Sequence, residues 1–362
     1  MSQITYFDII SGKISGLVGV PARMALRILS WPYSAVVRAR NCLCSTGLLK
    51  AHRAGVPVLC VGNLTTGGTG KTPIVVWLCQ MINQKSKIKN QKCRVAILTR
   101  GYKTHAGELS DEPALLSAQC EGVSVVVNPD RVAGAAEAVG THRAQVLVMD
   151  DGFQHRRLAR DLDIVAIDAT LPFGYGKVLP AGLLREPVAG LRRAQAAVLT
   201  RCDQASEDDL RRIEEQIRQV NPDLVIARSI HAPVGIRTRQ GAEIGLDQLR
   251  GKQLFAFCGI GNPRSFFRLI EHLGGVLVGS RAYDDHYRYA AGDLDQIREE
   301  ATAKDASLIL TTQKDWTKIS RLAGSPDHPP LAYLAVEIQI TAGAECLTAL
   351  IDRVLGGTMP TR

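Results

Sequence analysis

Short, nearly continuous apolar runs recur along this chain, separated by stretches in which apolar and polar residues alternate with helical spacing. The runs at 56–61, 94–99, 123–127, 145–149, 163–167, 195–200 and 224–228 predict strands buried on both faces. Helical spacing predicts helices near 73–83, 130–139 and 206–219. Strands alternating with helices argue for a parallel sheet covered by helices, in which ligands gather at the carboxyl ends of strands.

A second series begins near Lys252. It predicts a strand at 254–258, a helix near 263–273, a strand near 275–278, a helix near 292–303 and a strand at 307–311. Gly259 and Gly261 follow the first of these strands, but Ser265 lies near where a dinucleotide fingerprint needs its third glycine, so they predict a structural turn. The extended apolar segments 224–231 and 331–340 are expected to pair where the two units connect. The predicted fold is α/β: a doubly wound, mostly parallel sheet like that of P-loop NTPases, with a second, smaller α/β domain. The expected layout is a basic and apolar membrane-associating segment at 1–50 packed on a core domain at 51–228, then a smaller domain at 229–362.

The first fifty residues mix Ile, Leu, Val, Phe, Trp and Tyr with glycines and prolines. No apolar span of about 20 residues is uninterrupted, so no transmembrane helix is expected. No signal-peptide pattern is present. Arg23 and Arg27, four apart among Met24, Leu26, Ile28 and Leu29 and followed by Trp31 and Tyr33, suit either an interfacial helix or one docked on the core.

Composition is that of an ordinary soluble globular protein, with 46% hydrophobic and 22% charged residues in 362. The nine cysteines are scattered and odd in number, which argues against a disulfide framework and for a reducing compartment. Charge changes the picture more. The net charge is +9, and between Asp8 and Glu108 there is no acidic residue at all. Such a face seeks an anionic surface: lipid headgroups, nucleic acid or a phosphorylated substrate. Few aromatics (5%) and no nucleic-acid fold signature argue against a nucleic-acid partner.

Candidate chemistry starts at the first strand, which runs into Thr65, Thr66, Gly67, Gly68, Thr69, Gly70, Lys71 and Thr72. Glycines let the backbone turn its N–H groups onto an anion. Lys71 is placed for β- and γ-phosphates, and Thr72 for Mg²⁺ at a helix N-terminus, so the expected cofactors are ATP and Mg²⁺. The general pattern wants glycine where Thr65 stands. The fourth strand ends in Asp150 and Asp151, with Gln154 and His155 after them. Asp150 fits a second Mg²⁺ handle, and Asp151 a group that orients a water ligand or the nucleotide.

Asp111 and Glu112, before Pro113, suit either a helix start or a base that accepts a hydroxyl proton from an acceptor. Arg100, Arg131 and Arg185 are candidate cations for transition-state charge. Glu186 shares a proline-bounded loop with Arg185. His286, after Asp284 and Asp285, is placed to orient a carboxylate base.

These motifs, in order, resemble the tetraacyldisaccharide 4′-kinase family: Gly62 to Pro73, Thr99 to Tyr102, Asp111 to Pro113, Asp130-Arg131, Asp150 to His155, Leu179 to Gly182, Leu184 to Pro187, Asp285-His286 and Lys314-Asp315. Thr65 matches that family too. The resemblance implies ATP-dependent phosphorylation of the 4′-hydroxyl of an acylated glucosamine disaccharide 1-phosphate at the cytoplasmic face of an anionic bacterial inner membrane. It implies Asp111 as general base with His286 orienting it, and Lys71 and Thr72 as phosphate and Mg²⁺ residues. Asp150 becomes the strand-end metal handle, Glu186 a further metal contact, and Arg131 and Arg185 substrate or transition-state cations. Lys177 departs from the family's usual arginine, and the basic segment 84–92 has no counterpart role. The competing expectations are a P-loop NTPase with no lipid acceptor, whose turnover needs no lipid, and a basic nucleic-acid-binding protein.

Overall fold

The structure is a computed structural model and describes residues 6–88, 93–101, 111–239, 241–285, 287–320, 322 and 329–356, with the side chains of Leu17, 86–88, Asp111 and Glu112 also left outside. In chain order, α1 (Tyr6–Ile10) and α2 (Gly16–Ser45) precede β1 (Val58–Asn63), α3 (Lys71–Ile88) and β2 (Val95–Thr99). Next come α4 (Asp111–Gln119), β3 (Ser124–Val127), α5 (Arg131–Gly140) and β4 (Val146–Asp150). These are followed by β5 (Leu162–Asp168), β6 (Ala196–Thr200), α6 (Glu207–Val220), β7 (Val225–Thr238), β8 (Glu243–Ile244) and β9 (Gln253–Cys258). The rest comprises α7 (Pro263–His272), β10 (Val276–Ala282), α8 (Ala291–Ala303), β11 (Leu308–Thr312), α9 (Gln313–Ile319), β12 (Leu331–Ala342) and α10 (Ala344–Leu355).

The chain divides into two units. The first holds Met1–Gly101, Cys120–Ile230 and Ile340–Arg362, and the second Tyr102–Gln119 and His231–Gln339. β7 and β12, neighbours by hydrogen bonding, carry the chain between them.

In the first unit the strand order is β3-β2-β4-β1-β5-β6-β7. Every pair in it is parallel. β1, β2, β4, β5 and β6 are buried along their whole length. That burial is why these strands read as continuous apolar runs rather than alternating ones. From β1 the chain crosses by α3 to β2 on one side, whereas β5 pairs with β1 on the other. Strand β1 therefore stands at the switch in strand order, and the crevice beyond its carboxyl end is where such sheets bind ligands.

Helix boundaries follow local chemistry. The Asp130 carboxylate caps α5 by accepting from the Val132 N–H at 2.9 Å. Ser206 caps α6, whose first turn carries Glu207, Asp208 and Asp209 at the positive end of the helix dipole.

In the second unit the parallel order is β10-β9-β11-β12, with β8 antiparallel on β7. The Gly259 turn is held by Asp315, which is fully buried and accepts from the Gly259 N–H at 2.9 Å. Asp315 also accepts from the Thr312 hydroxyl at the start of α9. The turn is structural, as its missing third glycine predicts.

The helices extend the sequence-based expectation. Helix α2 reaches well past the stretch around Arg23 and Arg27, running through Pro21 and Pro32 to Ser45. An interior proline costs about 3 kcal/mol or more in a helix. Anchors on the first unit offset that cost. Tyr33 Oη donates to the Arg185 carbonyl at 2.8 Å, Asn41 Nδ2 donates to Glu186 at 3.0 Å, and Arg156 donates to the Asn41 carbonyl at 2.8 Å. Asp111 to Pro113 begin a helix, α4, which is one of the two readings the sequence allowed for them. α9 and α10 had no sequence-based prediction.

Gly62 shows how tightly β1 meets the turn after β4. A Cβ there would stand 2.5 Å from the Phe153 Cβ and 2.8 Å from its backbone nitrogen. Phe153 is itself fully buried. Gly62→Ala is expected to destabilise the fold by roughly 1–3 kcal/mol, the usual range for overpacking. Equilibrium urea unfolding checks this, and a variant as stable as the parent would show that the turn can yield.

Candidate functional site

At the carboxyl end of β1 the backbone leaves the sheet through residues 64–70 and enters α3 at Lys71. Gly67 (φ 107°) and Gly70 (φ 79°) take positive φ, which glycine adopts without a Cβ clash. Nothing lies within 4 Å of where a Gly67 Cβ would be, so the loop presents open backbone there. Its shape is fixed from several sides. Asn63 Nδ2 donates to Thr69 Oγ1 at 3.0 Å, and the Thr200 hydroxyl donates to the Thr69 carbonyl at 2.9 Å. Arg201 donates to the Gly68 carbonyl at 2.9 Å and pairs with Asp168. The Thr66 N–H donates to the Leu183 carbonyl at 2.8 Å, and the Arg185 N–H to the Leu64 carbonyl at 2.7 Å. Thr65 forms an antiparallel bridge with Leu184. In this chain Thr65 is thus a strand-like contact to a second loop, which a glycine would serve less well.

Lys71 opens an 18-residue helix, where exposed N–H groups and the dipole favour anions. Its ammonium stands 3.5 Å from Asp151 Oδ1, with the side chain 13% exposed, so it faces both the carboxylate and the loop opening. Arg185 Nη1 donates to both Asp151 oxygens, at 2.9 and 3.0 Å. Burial works to raise the Asp151 carboxyl, but Lys71 and Arg185 outweigh it and hold it below the usual carboxylate range. Asp151 itself sits at φ 50°, a left-handed conformation that Asp and Asn tolerate better than other side chains.

The loop, lysine and helix N-terminus fit the phosphates of a nucleotide. Asp150, 2% exposed, ends β4 opposite Val61 of β1, and Thr72 lies in the first turn of α3. A carboxylate, a hydroxyl and phosphate oxygens are the donor set that Mg²⁺ accepts.

Two expected site residues have other work in this structure. Arg131 is buried, and its guanidinium donates to the Asn128 carbonyl at 2.9 Å and the Asp150 carbonyl at 3.1 Å. Burial lowers its pKa, offset by Asp150 and Asp151. It fastens α5 to the end of β4. Glu186 is fully buried and its oxygens accept four N–H groups. Oε1 takes Arg193 Nη2 at 3.0 Å and Gln154 Nε2 at 3.0 Å, while Oε2 takes Arg193 Nη1 at 2.9 Å and Asn41 Nδ2 at 3.0 Å. A carboxylate has about four lone-pair positions, and these four donors occupy them. Arg193 is completed by the Phe153 ring, 4.4 Å from its guanidinium carbon. Gln154 also donates to the Asn63 carbonyl at 2.8 Å, tying this node to β1.

The structure therefore brings Lys71, Asp151, Arg185, Gln154 and Glu186 into one chain of contacts, with Asp150 and Arg131 behind it. Asp111 belongs to the second unit as the first residue of α4, and its side chain lies outside the described residues, as does His286. Next to His286, Asp285 accepts from Lys314 Nζ at 3.0 Å, which gives Lys314-Asp315 a structural part. Sequence reasoning passed over Asn63, Asp168, Thr200, Arg201 and Arg193. The first four lie at or just beyond the carboxyl ends of β1, β5 and β6, so the strand-end rule could have found them. Nothing in the sequence marks Arg193, whose role comes from the fold alone.

The family model for tetraacyldisaccharide-1-P 4′-kinase matches residues 22–355 of this chain. A tetraacyldisaccharide 4′-kinase from Anaeromyxobacter dehalogenans (strain 2CP-C) is 36% identical over 357 residues, 94% of this chain and 92% of that protein. Its counterpart from Anaeromyxobacter sp. (strain Fw109-5) is 38% identical over 340 residues, 89% of each chain. The crystal structure of an "apo" form of LpxK from Aquifex aeolicus in complex with ATP is similar at a TM-score of 0.70 and 28% identity, covering 92% of this chain and 99% of that one. On the span of the family match and the identity of these relatives, the chain belongs to the tetraacyldisaccharide 4′-kinase family.

Proposed function

We propose that this protein transfers the γ-phosphoryl group of ATP to the 4′-hydroxyl of an acylated glucosamine disaccharide 1-phosphate, a step of lipid A biosynthesis. The observation that carries this reading is the Lys71–Asp151–Arg185 arrangement where β1 meets α3, in a chain matched by the kinase family over residues 22–355. Lys71 binds the β- and γ-phosphates. Thr72 and Asp150 would hold Mg²⁺, which would offset phosphate charge when bound. Asp151 keeps Lys71 and Arg185 oriented, and Arg185 supplies positive charge to the transferring group. Asp111 accepts the proton of the 4′-hydroxyl while the new oxygen–phosphorus bond forms and the bond to the ADP oxygen breaks. His286 orients Asp111. Glu186 and Arg131 are positioning residues.

The same reading gives α2 a membrane role at the cytoplasmic face of an anionic bilayer. Val18, Val20, Met24, Ile28, Leu29, Trp31 and Val36 are all exposed on it, Trp31 by 71%. Helix α2 also lacks acidic residues entirely. An exposed apolar face with basic flanks is what an interfacial helix needs. Among the described residues no helix is long and apolar enough to cross a membrane.

Removal of the Lys71 charge in Lys71→Ala is expected to abolish phosphoryl transfer, and Asp111→Ala to lower kcat by roughly 10²–10⁴, the range for losing a general base. γ-Labelled ATP with an acylated disaccharide 1-phosphate measures both; near-normal kcat in Asp111→Ala would reassign the base, and wild-type ATP turnover without lipid would sink the kinase reading. Trp31→Glu in α2 should weaken co-sedimentation with phosphatidylglycerol vesicles, and unchanged co-sedimentation removes the interfacial role. Because the folded Asp151 carboxyl sits below its unfolded value of about 3.9, its stabilisation is complete above that pH and is lost as pH falls through the folded value. Asp151→Asn should therefore flatten the fall in unfolding free energy below about pH 4, the ordinary carboxylate value. Parallel slopes for parent and variant would show that the ion pairs contribute nothing there.

A further inference from the structure

The first unit carries a cavity of about 410 Å³ that no step of the proposed reaction has yet used. It lies between the last turns of α2 and the segment 187–193, and its polar lining is Arg38, Asn41, Ser45, Arg156, Arg192 and Arg193. Four arginines line it, and among the described residues only Arg193 has a carboxylate partner, Glu186. Arg156 is held by the Asn41 carbonyl at 2.8 Å and by Ser45 Oγ at 3.2 and 3.3 Å, all uncharged acceptors. Arg38 and Arg192 are exposed and, among the described residues, make no ion pair or side-chain hydrogen bond. Burial, and then the neighbouring Arg193 charge, lowers the Arg156 pKa. Cations brought together without matching acids are a standing demand for an anion, and arginine's planar fork suits phosphate oxygens.

We propose that this cavity is a phosphate subsite for the acceptor lipid, and that Arg38, Arg156 and Arg192 bind its 1-phosphate. The inference rests on the kinase reading above and adds to it where the non-reacting end of the substrate is held. Two observations commit it to a phosphate carried on an amphiphile. The cavity wall is made by α2, whose exposed apolar residues Val36 and Leu43 flank Arg38 and Cys42 in sequence, so acyl chains and an anionic headgroup would meet the same helix. The opposite wall runs through Arg193 to Glu186, the residue after Arg185, which grips Asp151 and through it Lys71. Phosphate bound here is thus linked by ion pairs and two adjacent loop residues to the lysine assigned to ATP. A volume of this size lies within the ~300–1,000 Å³ usual for small-molecule sites, room for a phosphate and the sugar that bears it.

The test compares two acceptors, the acylated disaccharide 1-phosphate and the same lipid with a 1-hydroxyl, both in detergent micelles. Arg38→Ala and Arg192→Ala remove side chains that hold nothing else, so folding should be intact; thermal unfolding verifies it. Each is expected to raise KM for the 1-phosphate acceptor roughly tenfold, about 1.4 kcal/mol, with kcat near normal, and to leave KM for the 1-hydroxyl acceptor unchanged. Arg38→Lys and Arg192→Lys should recover part of the loss, since charge remains while the fork is gone. Equal losses on both acceptors, or none on either, overturn the subsite. Weaker binding to phosphatidylglycerol vesicles with no change in micellar KM also overturns it and gives the arginines to bilayer phosphate. Failure of the wild type to label either acceptor would sink the kinase reading instead, a result distinct from all of these.

Discussion

The site depends on one carboxylate. Asp151 accepts Lys71 from α3 and Arg185 from the loop before residue 187, so the start of a helix, the end of β4 and a long surface loop share one negative charge. Two cations beside one acid outweigh its burial, which is why the carboxyl stays ionised where an isolated buried acid would take up a proton. Asp151 takes a left-handed backbone, φ 50°, and its side chain meets both Lys71 and Arg185. Such a conformation costs on the order of 1–3 kcal/mol unless its surroundings support it, and here the ion pairs do.

A second centre sits one residue beyond Arg185. Glu186, with no solvent contact and four N–H donors, joins α2 through Asn41, the strand-end turn through Gln154 and the following segment through Arg193. A buried charge persists only when its partners are this complete. The consequence is that α2 is fastened to the loop that carries Arg185, so a helix with an exposed apolar face and the residues near the phosphate loop are one mechanical piece. That union bears on the membrane role proposed for α2: a helix with exposed apolar residues is tied through Glu186 to the loop that carries Arg185.

Much of this was legible in the chain. Strands β1, β2, β4, β5 and β6 were readable because a parallel sheet covered on both faces favours apolar side chains, and the runs at 94–99, 145–149 and 195–200 match β2, β4 and β6 to within a residue or two. The phosphate loop was readable because only glycine takes Gly67 and Gly70 to positive φ without strain. The expected pairing of 224–231 with 331–340 appears as neighbouring strands β7 and β12. α2 was readable only in part, since a local rule stops helices at Pro32 and the anchors that carry it onward come from residues 150 positions away. The short α9 was hidden because its apolar pattern is brief, and the return of α10 to the first unit is a matter of long-range packing.

Sequence by itself determined which residues have the chemistry: a lysine after glycines, two acids after an apolar strand, a basic chain free of acids from Ile9 to Gly107. These are properties of side-chain type and near spacing, and near spacing is fixed by covalent geometry. Tertiary structure alone decided what each charge is engaged with. Glu186 and Arg185 are adjacent and equally polar in the sequence, yet one is saturated by four buried donors and the other faces Asp151 at the mouth of the site. Arg131 and Arg193 are alike in type, yet one is tied to backbone carbonyls and the other to the Glu186 carboxylate, because the fold decides a guanidinium's partners. Local sequence sets which groups can pair; only the folded backbone sets which of them arrive within 3 Å, and at that range desolvation and charge pairing fix their roles.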